Sequence, residues 1–284
     1  MMKNALTIDV EDWYMTQDFN FPYVTWDKYE DRVEYSTNLI LDLLLEVDAK
    51  ATFFVLGCVA ARHPELVRRI VQQGHELASH GYTHQMITQM SKEEFRDDLV
   101  RSKTLLEEIS GVNITCFRAP TWSITESSLW ALEVLEEEGF LYDSSIQPFK
   151  THLSGISNAP LAFFHPKVKG KTLRILEVPP TLFEIGPVRT PFAGGLYFRV
   201  LPYFIVKYLL QTVNKTRPGV TYFHPWEVDP GQPHLEVSTF TKITHYAYLK
   251  NNLGKIKHFL HNFQFCPLKE LIVETKEYPV FELS

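Results

Sequence analysis

Short apolar segments alternate with longer amphipathic segments through the first half of the chain. Apolar runs rich in β-branched and aromatic residues predict strands, and apolar residues repeated every three or four positions predict helices. The predicted strands are Ala5–Val10, Ala51–Leu56, Glu76–Ser79, Ile114–Phe117, Leu141–Asp143 and Val220–Phe223. The predicted helices are Val33–Val47, Pro64–Gln73, Ser91–Ser110 and Glu126–Glu138. Strands that alternate with helices favour an α/β fold, built on a mainly parallel sheet or a barrel.

Capping residues mark the ends of the predicted helices. Gly74, Gly111 and Gly139 each follow a helical pattern, and glycine is the residue that most readily closes a helix in a left-handed conformation. Ser91 is followed three residues later by Glu94, a spacing typical of the capping box. These signals make the long helix that begins near Ser91 the best-defined element of the sequence.

Polar residues stand where five predicted strands end. They are Asp9, Ser79 with His80, Arg118, Asp143 and His224. Because ligands of parallel α/β folds bind at the carboxyl ends of the strands, we expect these side chains to line one site. From about Ile146 to Gly195 the chain is punctuated by proline and glycine, and we expect long loops and short strands over the same face.

The composition is that of an ordinary globular protein. The 284 residues are 45% hydrophobic and 22% charged, which is enough apolar material for one large core. The formal net charge is −6 and the sequence has no block of basic residues, so a nucleic-acid partner is not expected. There is no internal repeat or linker pattern, and residues 1–284 are predicted to form a single domain with an extension from about Ile146 onward.

Three scattered cysteines, Cys58, Cys116 and Cys266, fit neither a disulfide framework nor a zinc knuckle, and we expect reduced, packed thiols. The start of the sequence lacks the pattern of a secretory signal. No apolar run reaches the roughly 18 residues of a membrane-spanning helix. We therefore predict a cytoplasmic protein without a transmembrane segment. Peripheral membrane contact is expected if the aromatic residues around the segment LPYFIVKYLL are exposed.

The pair His80 and His84 is the strongest indication of a metal site. Two histidines four residues apart are, by themselves, as often unrelated residues as they are metal ligands. Here a cluster of carboxylates at Asp9, Glu11 and Asp12 completes a common set of ligands. Two neutral imidazoles and one carboxylate bind a catalytic divalent cation and leave positions open for water and substrate. Asp9 is the candidate general base, and the carboxylate ligand is either Glu11 or Asp12.

Further polar and aromatic residues fit the same chemistry. Arg118, in FRAPTW, is placed to pair with Asp9 and keep its carboxylate ionised. His224, in YFHPWE, is the candidate acid that protonates a leaving amine. Trp122 and Trp226 offer flat faces of the kind that stack on sugars, although each is as readily a core residue. Since no motif for covalent catalysis is present, the constellation predicts metal-assisted hydrolysis of an amide.

The order of these motifs resembles that of the polysaccharide deacetylases of carbohydrate esterase family 4, the NodB-homology domain. TIDVED, SHGYTH, FRAP, LYDSS and YFHP stand in the family's order, and the resemblance spans roughly residues 5 to 230. It implies a distorted (β/α) barrel of the NodB type and hydrolysis of an N-acetyl group on an amino sugar, with release of acetate.

The resemblance also implies roles for individual residues. Asp9 would be the base, His80 and His84 metal ligands, Arg118 the partner of Asp9, and His224 the acid. The usual first motif of the family has two adjacent aspartates, whereas here Val10 follows Asp9. The third metal ligand is therefore either Glu11 or Asp12. The residues expected on the substrate side are Pro120, Thr121, Trp122, Asp143 and Trp226, with the backbone amide of Thr121 or Trp122 as donor to the oxyanion.

The segments KATFFVLG, GGLYFR and HPWEVDPGQP are similar to a subgroup that carries its own C-terminal extension and occurs with exopolysaccharide or surface-glycan biosynthesis. The expected substrate is an N-acetylated sugar or glycan precursor, either a sugar nucleotide or a lipid-linked precursor. The expected cofactor is a divalent metal, with zinc as the default among zinc, cobalt, nickel and iron. Two alternatives stay open: hydrolysis of a small non-sugar amide on the same fold, and a non-catalytic glycan-binding protein. The oligomeric state is not indicated.

Overall fold

Strands and helices alternate along the chain as the sequence predicts. The computed structural model describes residues 2–272 and 276–283. The helices are α1 Val33–Glu46, α2 Gly57–Arg62, α3 Pro64–Gln72, α4 Lys92–Ser110, α5 Trp130–Glu137, α6 Gly195–Val200, α7 Tyr203–Val213, α8 Thr239–Tyr246 and α9 Leu249–Asn262. The strands are β1 Lys3–Val10, β2 Thr52–Val55, β3 Glu76–Ser79, β4 Cys116–Phe117, β5 Tyr142–Asp143, β6 His165–Val168, β7 Lys171–Thr172, β8 Leu176–Glu177, β9 Leu182–Ile185, β10 Val188–Pro191, β11 Val220–Phe223, β12 Gln264–Cys266 and β13 Val280–Leu283.

The predicted elements differ from the observed ones mainly at their ends. Strands β3 and β11 have the predicted bounds, and α1 ends one residue before Val47. Helix α5 begins at Trp130 rather than Glu126, because the preceding residues form a turn in which the Ser128 amide donates to the Thr125 carbonyl at 3.0 Å. Helix α2 follows β2 directly and was not predicted. The region from 146 to 195 contains short strands and loops, as expected.

The chain divides into two compact units whose segments interleave in the sequence. The first consists of Met1–Phe53, Arg69–Glu76 and Phe192–Leu271. The second consists of Phe54–Arg68, Leu77–Pro191 and Ile272–Ser284. The single domain over residues 1–284 stays a prediction.

Within the first unit, β1 pairs in parallel with β11 and with β12. The register sets Ile8 beside Phe223, so the residues that follow these two strands come to the same edge. Every residue of β1 from Asn4 to Val10 is buried, which explains its nearly continuous apolar run. Buried Asn4 accepts the Gly219 amide at 2.7 Å and thereby joins the start of β1 to the approach to β11.

Within the second unit, strands β3, β4, β5 and β8 are parallel neighbours. Their register aligns Ser79 with Phe117, Phe117 with Asp143, and Asp143 with Glu177. The carboxyl ends of these strands therefore lie side by side, as the strand-end argument requires. The last half of β2 also belongs to this unit, where the His80 amide donates to the Val55 carbonyl at 3.0 Å.

Helix α4 has the predicted capping box. Ser91 Oγ accepts the Glu94 amide at 3.2 Å, and Glu94 Oε2 accepts the Ser91 amide at 2.8 Å. Gly111 ends the helix with a φ of 72°, the left-handed conformation that glycine adopts without strain. Both ends of this helix were thus predicted from local sequence.

Two other expectations from the sequence are met in the described residues. The three cysteines are buried and free, and burial raises the pKa of the Cys58 thiol to about 12. No helix in residues 2–272 or 276–283 has both the length and the apolar character needed to cross a membrane.

We predict that Ser91→Ala lowers the free energy of unfolding by about 1 kcal/mol, because the first turn of α4 loses a capping acceptor. Urea denaturation measures the change. Ser127→Ala is the matched control, since Ser127 is an exposed serine outside a helix cap, and its effect should stay within about 0.5 kcal/mol. Equal effects of the two substitutions would show that the capping box does not stabilise α4.

Candidate active site

The parallel register of β1 and β11 brings the predicted base and acid together. His224 Nε2 lies 3.9 Å from Asp9 Oδ2 and 3.6 Å from Glu11 Oε1. Asp9 and Glu11 are both buried, and Trp226 Nε1 donates a hydrogen bond to Glu11 Oε1 at 3.2 Å. The first unit therefore holds an imidazole against two carboxylates at the carboxyl end of its strands.

Glu227 orients the imidazole of His224. Its Oε2 lies 3.0 Å from His224 Nδ1 and accepts the backbone amide of His224 at 2.9 Å. The two residues are three apart in the short helical turn Pro225–Val228, so the carboxylate folds back onto the ring. Because Glu227 accepts a hydrogen bond from Nδ1–H, Nε2 is the nitrogen that faces the other carboxylates.

The charge around His224 keeps its ring protonated. Burial alone would lower the pKa of His224, but Glu11, Glu227 and Asp9 outweigh that effect and raise its pKa from the ordinary value of 6.5 to about 9. The raised pKa stabilises the folded protein fully below pH 6.5, and this contribution is lost as the pH rises through about 9. A cationic imidazole at neutral pH is the form that a general acid requires.

A buried arginine supports Glu227 in turn. Arg199 Nε donates to Glu227 Oε1 at 2.8 Å, and both side chains are only 1% exposed. The remaining guanidinium nitrogens donate to the backbone carbonyls of Thr244, His245 and Ala247 at 2.6 to 2.8 Å. Burial acts to raise the pKa of Glu227, but His224 and Arg199 lower it below its usual range. Glu227 is therefore ionised when it holds His224.

Trp226 is packed against histidines rather than left open. Its ring stacks on His245 with centroids 4.3 Å apart and lies nearly parallel to His224 at 5.5 Å. Only 6% of Trp226 is exposed. These contacts support a structural role, and stacking of Trp226 on a sugar stays a prediction.

Asp12 is engaged by backbone amides. Its Oδ1 accepts the amide of Trp13 at 2.8 Å, and its Oδ2 accepts those of Arg32 and Val33 at 2.7 and 2.9 Å. Burial raises the pKa of Asp12 to about 7, against the lowering effect of these bonds. Because both oxygens are engaged by backbone amides, the contacts favour Glu11 over Asp12 as the carboxylate ligand.

His80 and His84 lie in the second unit, on the loop that follows β3 rather than on a helix. Their ring centroids are 5.3 Å apart, and His84 has a left-handed φ of 54°. His80 Nδ1 lies 2.7 Å from the carbonyl oxygen of Arg118, which accepts a hydrogen bond from the Nδ1–H group. A histidine that donates Nδ1–H to a carbonyl presents the lone pair of Nε2, the arrangement common among metal-ligating histidines.

Asp98 on α4 holds the histidine loop in place. Its Oδ2 accepts the Tyr82 amide at 2.6 Å, and its Oδ1 accepts both the amide and the hydroxyl of Thr83, at 3.2 and 3.0 Å. Gly81 has a φ of 77°, and a Cβ there would come within 3.0 Å of Asp98 Oδ2. The loop between the two histidines therefore has a defined conformation with a glycine requirement at position 81.

Arg118 follows β4 and is fully buried in the second unit. Its Nε donates to the Ser144 carbonyl at 3.2 Å, and its Nη2 lies 2.9 Å from Ser144 Oγ. The guanidinium also lies over the ring of Phe54, 4.1 Å from the centroid. These contacts fix the guanidinium, while its pairing with Asp9 stays a prediction.

The turn Pro120–Trp122 is strained at two consecutive residues. Thr121 and Trp122 have φ values of 58° and 50°, which are uncommon for residues other than glycine and cost on the order of 1 to 3 kcal/mol each. The Trp122 amide already donates to the Ala119 carbonyl at 3.0 Å. Of the two backbone amides considered for the oxyanion, that of Thr121 is thus the better candidate.

Asp143 forms a buried carboxyl pair with Glu177, its partner in the register of β5 and β8. Ser145 donates its hydroxyl to Asp143 and accepts the Ala119 amide at 2.8 Å. Burial raises the pKa of Asp143 to about 6, and burial together with the neighbouring Asp143 raises the pKa of Glu177 further. Asp143 is fully buried, and its contacts support a role in positioning Ser145, which accepts the amide of Ala119 just before Pro120. Contact of Asp143 with substrate stays a prediction.

Several residues that hold the predicted site residues in place within each unit were not predicted from the sequence. They are Asp98, Ser144, Glu177, Arg199 and Glu227. Glu227 could have been found from local sequence, because an acidic residue three positions after His224, in a turn that begins with proline, is close enough to contact the His224 ring. The others lie far from their partners in sequence, where spacing carries no information.

Two family models match most of the chain between them. Residues 16–139 match the model described as "Polysaccharide deacetylase", and residues 144–273 match the one described as "Domain of unknown function (DUF3473)". The second match begins close to the extension predicted from about Ile146.

Curated relatives include the peptidoglycan-N-acetylglucosamine deacetylase of Bacillus cereus, 35% identical over 98 residues, or 34% of this chain and 36% of that protein. A peptidoglycan deacetylase-like protein of Gibberella zeae is 30% identical over 141 residues, or 46% of this chain and 41% of that one. The chain therefore spans well under half the length of these relatives.

A solved structure supports the fold over nearly the whole chain. It is a putative polysaccharide deacetylase from Mycobacterium smegmatis, with a TM-score of 0.59, 21% identity, and coverage of 98% of this chain and 94% of that one. The predicted (β/α) barrel of the NodB type is thereby confirmed as the fold class. Over residues 16–139 the chain is thus similar to the polysaccharide deacetylase family, and over residues 144–273 to a family of unknown function.

Proposed function

We propose that the protein is a metal-dependent hydrolase that removes the N-acetyl group from an amino sugar of a glycan or glycan precursor. The observation that carries the proposal is the position of His224, whose Nε2 lies 3.9 Å from Asp9 and 3.6 Å from Glu11 while Glu227 holds Nδ1. A protonated imidazole beside a buried carboxylate supplies both the acid and the base that amide hydrolysis needs. The deacetylase relatives of residues 16–139 support the same reaction.

The proposed metal ligands are Glu11, His80 and His84. Each is buried and offers one ligand atom, and the three are a group that could hold a metal ion. Two imidazoles and one carboxylate suit zinc, and the bond from His80 Nδ1 to the Arg118 carbonyl fits a ligand that binds through Nε2. When bound, a divalent cation lowers the pKa of a water molecule and polarises the amide carbonyl. We propose zinc as the default.

Asp9 and His224 move the protons in the proposed reaction. Asp9 accepts a proton as the oxygen of water bonds to the acetyl carbon. His224 donates the proton on Nε2 to the sugar nitrogen as the carbon–nitrogen bond breaks. Acetate and a free amino sugar result, and the net consumption is one water. Glu227 keeps the ring of His224 oriented throughout.

Two further groups serve this step. Arg118 is proposed to lie beside Asp9 and favour its ionised form, since its guanidinium is already fixed by Ser144 and Phe54. The Thr121 amide is proposed to donate to the oxygen that becomes negative as water adds. The strained turn around Thr121 fits such a use, because strained backbone is retained where it presents a group to a reacting atom.

The proposed substrate is an N-acetylated sugar nucleotide or a lipid-linked precursor in exopolysaccharide or surface-glycan synthesis, in the cytoplasm. The deciding experiment is acetate release from a panel of such sugars, oligosaccharides and small N-acetyl amides. Metal-stripped protein would be tested alone and with zinc, cobalt, nickel or iron restored. Metal-dependent acetate from a sugar is the expected result. Acetate only from non-sugar amides, or metal binding with no acetate at all, would replace the proposal with the small-amide enzyme or the binding protein.

We predict that Glu11→Gln weakens metal binding by at least about tenfold, because it removes the charged ligand. Asp12→Asn is the matched control and should retain the metal, since Asp12 is engaged by backbone amides. Metal content after dialysis against a range of free zinc measures both. Loss of metal in Asp12→Asn with retention in Glu11→Gln would reverse the assignment.

We also predict that Glu227→Gln shifts the alkaline limb of kcat/KM to lower pH. Activity of the acid requires protonated His224, so it falls as the pH rises through the pKa of His224, and loss of the Glu227 charge lowers that pKa. A cation bound to Glu11 would cancel part of the increase in the pKa of His224. The part of that increase due to Glu227 would persist. Glu236→Gln, at a fully exposed carboxylate, is the control. An unmoved limb in a variant that melts like the parent would remove His224 as the acid.

A further inference from the structure

Helix α7 exposes an apolar and basic face. Phe204 and Tyr208 are 72% and 64% exposed, whereas Val206, Leu210 and Val213 on the other face are buried. Phe204, Lys207, Tyr208 and Gln211 follow the spacing i, i+3, i+4 and i+7, which places them along one stripe of α7, and Lys215 follows two residues after the helix ends. Covering large aromatic side chains that are this exposed would remove apolar surface from water, which is energetically favourable.

The cavity beside the start of α7 extends this surface. It has a volume of about 300 Å³, and Val200, Tyr203 and Tyr248 are among the residues that line it. Val200 is 38% exposed and Tyr248 is 62% exposed. We call Val200, Phe204, Lys207, Tyr208 and Tyr248 the α7 surface. Its apolar members are tyrosine, phenylalanine and valine, with a lysine among them.

The two stretches of sequence that contribute to the α7 surface contain no acidic residue, although Glu227, Asp229 and Glu236 lie in the segment between them. Residues 185–226 and 237–269 have no aspartate or glutamate and five lysines or arginines each, in a chain whose net charge is −6. Several of these cations have carboxylate partners from other segments: Arg189, Arg199, Lys242 and Lys257. Lys207, Lys215 and Lys250 have no carboxylate within 4.0 Å among the described residues. The negative charge of the protein is thus concentrated elsewhere in the sequence.

We propose that the α7 surface docks the protein on the interface of an anionic phospholipid bilayer. Tyrosine and phenylalanine side chains partition into the headgroup region, and flanking lysines are attracted to anionic lipids. The attraction acts within a Debye length of roughly 8 to 10 Å, so the charges close to the surface matter more than the net charge of the whole chain. The inference does not depend on acetate release.

Charge complementarity is what selects a lipid surface as the occupant. The cavity itself is not an anion pocket, because its two cations are already engaged. Arg199 binds Glu227, and Lys255 Nζ donates to the carbonyls of Phe198, Arg199 and Leu201. The lysines without a carboxylate partner are Lys207, Lys215 and Lys250, which lie near aromatic residues in the sequence, and Lys207 Nζ also donates to Asn262 Oδ1 at 2.8 Å. That arrangement matches a membrane interface, in which apolar and anionic groups occur at the same level.

Flotation of the full chain with lipid vesicles tests the proposal. Binding is expected to vesicles of phosphatidylglycerol and phosphatidylcholine in equal parts, to be weaker with phosphatidylcholine alone, and to fall as salt is added. The double variant Phe204→Ser with Tyr208→Ser should weaken binding by about tenfold or more. Lys207→Gln with Lys215→Gln should weaken binding only at low salt.

The matched control is Val24→Ser with Leu45→Ser, which removes two apolar side chains that are 85% and 61% exposed outside this surface. It should bind vesicles like the parent, and thermal melting should show that all variants are folded. Failure of the parent to bind anionic vesicles, or equal loss in the control, would overturn the proposal. So would self-association of the parent that the Phe204 and Tyr208 substitutions abolish, because a second copy would then cover the surface.

Discussion

The buried ion pair between Arg199 and Glu227 is the interaction on which the acid side of the site depends. Removing two charges from water is costly, and the cost is offset here because the pair bonds to itself, to His224 and to backbone carbonyls and an amide. Arg199 also holds the backbone at the end of α8, and Glu227 holds the ring and the amide of His224. The same contacts that pack residues 192–271 therefore orient the proposed acid, which places this function in the segment matched only by a family of unknown function.

The two kinds of histidine in the protein differ by the partner of Nδ1. His80 donates Nδ1–H to the neutral carbonyl of Arg118, an arrangement suited to an uncharged ring that offers a lone pair. His224 has the carboxylate of Glu227 at Nδ1 and two more carboxylates near Nε2, an arrangement suited to a charged ring that gives up a proton. The proposed ligand and the proposed acid thus differ in the group at Nδ1, which is a backbone carbonyl for His80 and a carboxylate for His224.

Local signals in the sequence predicted what local contacts determine. The capping box of α4 depends on residues within a few positions of one another and was predicted, and the bounds of β3 and β11 were predicted from their short apolar runs. The choice between Glu11 and Asp12 was not, because Asp12 is engaged by the amides of Arg32 and Val33, about twenty residues away. The support from Arg199 and the buried pair of Asp143 with Glu177 are likewise long-range, and spacing cannot reveal them.

Strand β1 pairs with segments that the ribosome makes much later. Asn4 at its start bonds to Gly219 and to Cys266, which lie 215 and 262 residues further along the chain. During synthesis this buried, apolar strand must wait for most of the protein to emerge before β11 and β12 can cover its polar backbone. A product truncated before β12 would therefore leave β1 incompletely paired, and would be expected to bind chaperones or aggregate rather than persist as a partly folded protein.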